Sequence, residues 1–339
     1  MEWEKVGEPL KRNGIQATSF RSEDAGIEEH FELGIFFGTF EERGLVSSRL
    51  LQKRSCSNSV IIFFKEAKTE ELRKKYDDIL IHQVKDCTKR DKVIKIEDIE
   101  IRDVEENLKM MLKQIPSVCF ASEAKWLIDL GGSPIPYFLG LLGYLRDMFP
   151  RPKFTIFNPT GEYGQEEGGY TFTSGFDRNI WISRMWGYPN PALPWTYVFL
   201  LGFEGSRSYD VLYRCEPQYV KALIGAPGYQ QDYENEAISR NKVFLKENGL
   251  LAEDGVPDVL KADAANPVQT WAVLQDLVNK HRNKTNICFV PLGSKGHALG
   301  SGLCALANSI PAVLYHMPRT YSVRDVKRGK YLWKYEINL

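Results

Sequence analysis

Ser294, Lys295 and His297 stand in VPLGSKGHALGSGLCALAN (Val290–Asn308), where a run that reads as a buried strand turns through glycines and resumes as an apolar helix. A hydroxyl, an ammonium and an imidazole at such a turn suit an anion. The first N–H groups of a helix lack internal partners and carry the positive end of its dipole, so a phosphate is the favoured guest. Gly293 and Gly296 let a ligand approach the backbone, and Lys295 adds charge. An architectural reading competes: Ser294 caps the helix, while Gly300 and Gly302 pack closely on a sheet. Neither the Walker spacing nor GxGxxG is present to decide between the two.

A glutamate–arginine pair recurs in FEERG (Phe40–Gly44) and FEGSRS (Phe203–Ser208). Glu41 with Arg43, and Glu204 with Arg207, either offer a guanidinium to a phosphate or carboxylate or close an ion pair that fastens the loop. Asp129 ends the run KWLID, with Ser133 just beyond it. An aspartate there serves as general base or ribose acceptor, or simply takes up turn amides. His297 and His316 are candidates for a relay with Glu204, and Arg319 adds another cation. Such histidines also serve as hydrogen-bonded structural groups. There is no GxSxG, no cysteine in an activating context, and no HExxH or paired metal-ligand spacing, so no metal site is expected. Trp181, Trp186, Tyr188 and Trp195 read either as a platform for a stacked base or as an apolar plug between halves.

All the charged candidates follow apolar runs. That is where an open parallel sheet binds ligands, beyond the carboxyl ends of its strands. In the first half the expected strands are FELGIFFG, SVIIFFKEA, DDILIHQVK, AKWLIDLGG and KFTIFNP. Helices are expected from about Val104, with Val104, Leu108, Met111 and Leu112 on one face, and at IPYFLGLLGYLRDMF. In the second half TYVFLLG, YVKALIGAPG, NICFVP and PAVLYHMPRTY are expected strands, interleaved with helices at NEAISRNKVFLKENG and PVQTWAVLQDLVNKHRN; GKYLWKYEINL reads as a final edge strand.

Four pieces recur in the same order, so the expected fold is α/β: two Rossmann-like, mainly parallel, three-layer halves related by internal duplication. The expected boundaries are a polar N-terminal arm at 1–30, a first domain at 31–160, a Gly/Pro/Trp-rich connection at 161–194 that could hold a hairpin, and a second domain at 195–339.

Lys plus Arg and Asp plus Glu each number 44, which argues against an extended nucleic-acid surface or an acidic membrane but leaves a local basic patch open. The six cysteines are scattered without CxxC spacing and read as reduced core thiols, hence a cytoplasmic setting. No signal peptide is visible. Trp126–Leu145 is nearly long enough to span a bilayer, but Asp129, paired glycines and two prolines divide it into strand, turn and helix.

In LGFEGSR, VPLGSKGHALGSGLCALA and PAVLYHMPRTY the chain resembles the nucleotide-sensing CARF domains and the SAVED domain, which is similar to two such units fused. The resemblance covers the architecture of 31–339 and short segments of residues. It implies a prokaryotic antiviral setting, a nucleotide ligand at the strand ends, and a protein effector as partner, since the chain has no evident effector domain of its own. The anion would meet Arg43, Arg207, Lys295 and the amides near Gly293. Two alternatives stand beside it: an enzyme acting on a nucleotide or phosphosugar, with Glu204 or Asp129 as base and His297 as acid, and a non-catalytic assembly subunit, with oligomers open in each case.

Overall fold

A computed structural model describes residues 2–23, 26–65, 71–148, 151–163, 172–252, 256–322 and 326–339. The chain forms two compact units, Met1–Gly164 with Val323–Leu339, and Gln165–Ser322.

The first unit begins with β1 (Glu4–Lys5), β2 (Leu10–Arg12) and β3 (Ile15–Ser22) and continues through β4 (Phe31–Phe37), α1 (Val46–Leu50), β5 (Cys56–Phe64), α2 (Glu71–Cys87) and β6 (Val93–Ile99). Then come α3 (Val104–Gln114), β7 (Lys125–Asp129), α4 (Ile135–Arg146) and β8 (Lys153–Glu162). The parallel core runs β8-β7-β4-β5-β6, with Ile35 opposite both Val60 and Ile128. Strands β4, β5 and β7 are almost wholly buried because both faces are covered. Tyr137 of α4 meets the rings of Phe37 and Phe64 edge-on on one face, while Leu80 and Val84 of α2 join the cluster of Ile61, Phe63 and Leu127. Prolines at 134 and 136 bracket the start of α4, where they cost no helical hydrogen bond.

The second unit holds β9 (Thr173–Trp181), β10 (Trp195–Leu200), α5 (Gly205–Cys215), β11 (Tyr219–Gly225), α6 (Tyr233–Arg240), α7 (Lys242–Glu247) and β12 (Leu260–Ala262). It ends with α8 (Pro267–His281), β13 (Asn286–Pro291), α9 (Lys295–Leu306) and β14 (Ala312–Tyr321). Its sheet order is β12-β11-β10-β13-β14-β9, with only β9 antiparallel. Numbered along the chain, the parallel strands of both units lie in the order 3-2-1-4-5, a Rossmann-like arrangement that reverses direction between the first and fourth strands. The final strand, β15 (Lys327–Asn338), returns to the first unit.

Four expectations need correction. The N-terminal 30 residues are no arm: Asn13 and Gly14, both at positive φ, turn β2 into β3, and Ile15 and Ala17 are fully buried. The stretch DDILIHQVK lies inside α2, where Tyr76, Leu80, Val84 and Cys87 recur at helical spacing and face the core; the third parallel strand is β6. The second domain does not extend to 339, and β15 is not an edge, because it is held between β3 and β8. The connection contains β9; its residues 164–171 lie outside the described ones. No helix of the described residues is long and apolar enough to cross a membrane.

Candidate functional site

In each unit the loops after the first and fourth parallel strands meet at the reversal point, and glycines let their backbones touch. In the first unit a Cβ on Gly132 would stand 2.6 Å from Phe37 O, and one on Gly131 2.7 Å from Gly44 Cα. In the second, a Cβ on Gly293 would stand 2.6 Å from Leu201 O, and one on Gly202 2.7 Å from Leu292 O. The two crevices differ in what surrounds that contact.

The first buries its polar candidates. Arg43 is buried, pairs with Glu41, donates to Tyr163 Oη at 3.2 Å, and takes its backbone partner from Val326 O. Asp129 is fully buried; its Oδ1 accepts from Ser47 Oγ at 2.7 Å and from Gly131 N at 3.1 Å. Ser133 is buried too, its hydroxyl directed at Pro134 O. Two partners escaped the sequence reading. Arg73 of α2, only 4% exposed, donates to Asp77 Oδ2 at 2.9 Å, and Asp77 Oδ1 receives Thr39 N at 3.0 Å. Burial pushes the Asp77 carboxyl up. Their i, i+4 spacing was the available signal, hidden because the segment reads as a strand.

In the second unit the FEGSR residues form a clamp. Glu204 Oε1 accepts from Phe172 N, Thr173 N and Thr173 Oγ1 at 2.7–2.9 Å, which fastens the start of β9. Arg207 is buried on α5, 3.5 Å from Glu204 Oε2, and donates from Nη2 to His316 O at 2.7 Å and from Nε to His316 Nδ1 at 3.3 Å. Nδ1 therefore carries the lone pair, and the protonated Nε2 faces Asp210 Oδ2 at 3.4 Å. Burial, then the Arg207 charge, hold His316 down at about 4. The structure thus joins Glu204 to His316 through Arg207. His297 takes no part in that clamp. It lies in the first turn of α9, with Nε2 3.2 Å from Ala262 O, and burial holds it at about 4.

A neutral imidazole at both positions gives a pH signature. The folded pKa lies below the ordinary 6.5, so the stability each histidine contributes is complete above pH 6.5 and is lost as pH falls toward 4. Wild type should lose about 2 kcal/mol through His297 between pH 7 and pH 5. Urea midpoints of wild type and His297→Gln at both pH values check this; equal losses in the two proteins refute it.

What remains accessible is the turn itself. Gly202, Phe203, Gly293, Ser294 and Lys295 are half-exposed at the carboxyl ends of β10 and β13. Ser294 caps α9 by accepting His297 N at 3.1 Å and donates to Ala264 O, so the capping reading holds. Gly300 packs against Pro267 and Thr270 of α8. Arg319 is exposed on the distal part of β14, opposite β9. The aromatic group lies at the other end of the strands: Trp195 begins β10, Trp181 faces Leu314 near the start of β14, and Tyr188 N donates to Ser309 O. Trp181, Trp186 and Tyr188 are 44%, 60% and 82% exposed. Among the described residues no group of histidine, cysteine, aspartate and glutamate could hold a metal ion. No protein-family model and no curated protein sequence matches this chain.

Proposed function

We propose that the second unit binds a nucleotide or another phosphorylated ligand at the start of α9 and acts as a sensor, without turnover. The observation that supports this is the half-exposed, glycine-lined reversal point between β10 and β13, set against the N-terminus of a 12-residue helix that begins at Lys295. The phosphate would meet the amides after Gly293 and the Lys295 ammonium. The clamp residues Glu204 and Arg207 shape the site from behind, and their partners leave no guanidinium to offer. The first unit, whose candidates Arg43, Asp129 and Ser133 are buried, serves as scaffold. The resemblance to CARF and SAVED domains extends the proposal to a prokaryotic defence setting, with the bound state passed to a separate effector protein.

Thermal unfolding with nucleoside phosphates, linear and cyclic oligonucleotides and pyrophosphate tests it. A true ligand at about 100 times its Kd should add about 2.7 kcal/mol. Lys295→Glu should abolish that gain while the ligand-free variant still unfolds cooperatively. An undiminished gain in this variant rejects the site, and release of product replaces the sensor by the enzyme reading.

A further inference from the structure

The amino-terminal end of the second unit's sheet gathers two features that the overall charge balance conceals. In a βαβ unit each helix returns the chain to the starting edge of the sheet, so helix C-termini and strand starts collect there. The turn from α8 into β13 is KHRNK (280–284), and Lys280, Arg282 and Lys284 are all exposed. Among the described residues none of the three has a carboxylate partner. His281 between them is held below its ordinary value by burial and then by Lys221, Lys284 and Lys280.

Aromatic side chains stand at the same end of the sheet. Asn286, the first residue of β13, fixes the aromatic loop beside it: Asn286 Oδ1 accepts Asn190 N at 2.7 Å, and its Nδ2 donates to Asn190 O and Leu193 O. That loop carries Trp186 and Tyr188. Two strands along, at the start of β11, Tyr219 is 57% exposed and lies in register with Thr196 of β10. Large aromatic rings left this exposed cost apolar hydration unless something covers them. Exposed cations and flat rings at one end of a sheet suit one class of guest, a flexible polyanion that carries its own rings.

We infer that this edge binds single-stranded nucleic acid, with Lys280, Arg282 and Lys284 tracking the phosphates and Trp186, Tyr188 and Tyr219 stacking on bases. The surface is separate from the ligand site at the start of α9 and does not depend on it. Unpaired strands fit better than duplex, because stacking needs open base faces.

Fluorescence anisotropy of the full chain with a fluorescein-labelled single-stranded oligonucleotide tests the assignment. Affinity should fall linearly with log salt, and replacing Lys280, Arg282 and Lys284 together by Glu should reduce that slope by about 2. Trp186→Ala and Tyr188→Ala should each weaken binding about tenfold at unchanged slope. These side chains are exposed, so unfolding midpoints should match wild type. Lys295→Glu should bind like wild type. Absence of binding at low salt overturns the inference. So does binding that ignores the aromatic variants, which marks simple polyanion attraction. Sensitivity to Lys295 would put the strand at the opposite end, and a change in self-association alone would make the edge an interface between copies of this chain.

Discussion

Arg207→Ala is expected to destabilise the second unit by about 3–5 kcal/mol, the cost of leaving one member of a buried ion pair without its counterpart. The guanidinium is buried and holds Glu204 Oε2, His316 O and His316 Nδ1 together. Alanine removes those donors, strands a carboxylate that already holds β9, and opens space beside Tyr315, whose ring lies 5.5 Å from the guanidinium carbon. A double variant, Glu204→Gln with Arg207→Met, removes both charges and keeps most of the volume, so it should cost less than Arg207→Ala alone. Urea denaturation followed by tryptophan fluorescence gives both values. If the single variant loses under 1 kcal/mol, the clamp is not what secures α5 to β14. For the same reason Arg207→Ala cannot probe ligand binding: loss of binding there would report a loosened unit.

Gly187→Ala should cost about 3 kcal/mol or more. Gly187 sits at φ +67, where an L side chain costs about 1–2 kcal/mol, and its Cβ would stand 2.2 Å from Ile310 O. A carbonyl oxygen fixed in backbone cannot step aside as a flexible side chain can, so a comparable overpacking cost adds to the first. Gly249 is the matched control, with φ +66 and nothing within 4 Å of its Cβ; Gly249→Ala should cost only the conformational part, about 1–2 kcal/mol. Equal losses would mean that the Trp186–Tyr188 loop moves away from Ile310 without penalty.

The parallel core was legible because burial on both faces leaves apolar runs: FELGIFF, SVIIFF, WLID, YVFL and NICFVP all lie in strands. What failed was local competition between periods. In DDILIHQVK, Ile79 and Ile81 flanking Leu80 imitate a strand, yet the burial of Tyr76, Leu80 and Val84 decides for a helix. The Asn13–Gly14 pair was a hairpin signal standing in plain view, passed over because the segments around it are short and polar. The place of β15 was out of reach, since an alternating KYLWKYEI strand does not say which unit supplies its neighbours. Among site residues, types and loop positions were readable, but burial was not. Sequence shows that Glu204 and Arg207 follow a strand; only the fold shows that their charges are spent on Thr173 and His316.

The return of β15 between β3 and β8 dictates an order of events at the ribosome. Residues 165–322 emerge before Lys327 and can assemble while the first sheet still has a gap in its middle. Until β15 leaves the exit tunnel, β3 and β8 present naked edges that invite pairing with foreign strands. A premature stop just ahead of Lys327 would therefore ruin the half that is made first and spare the half that is made second.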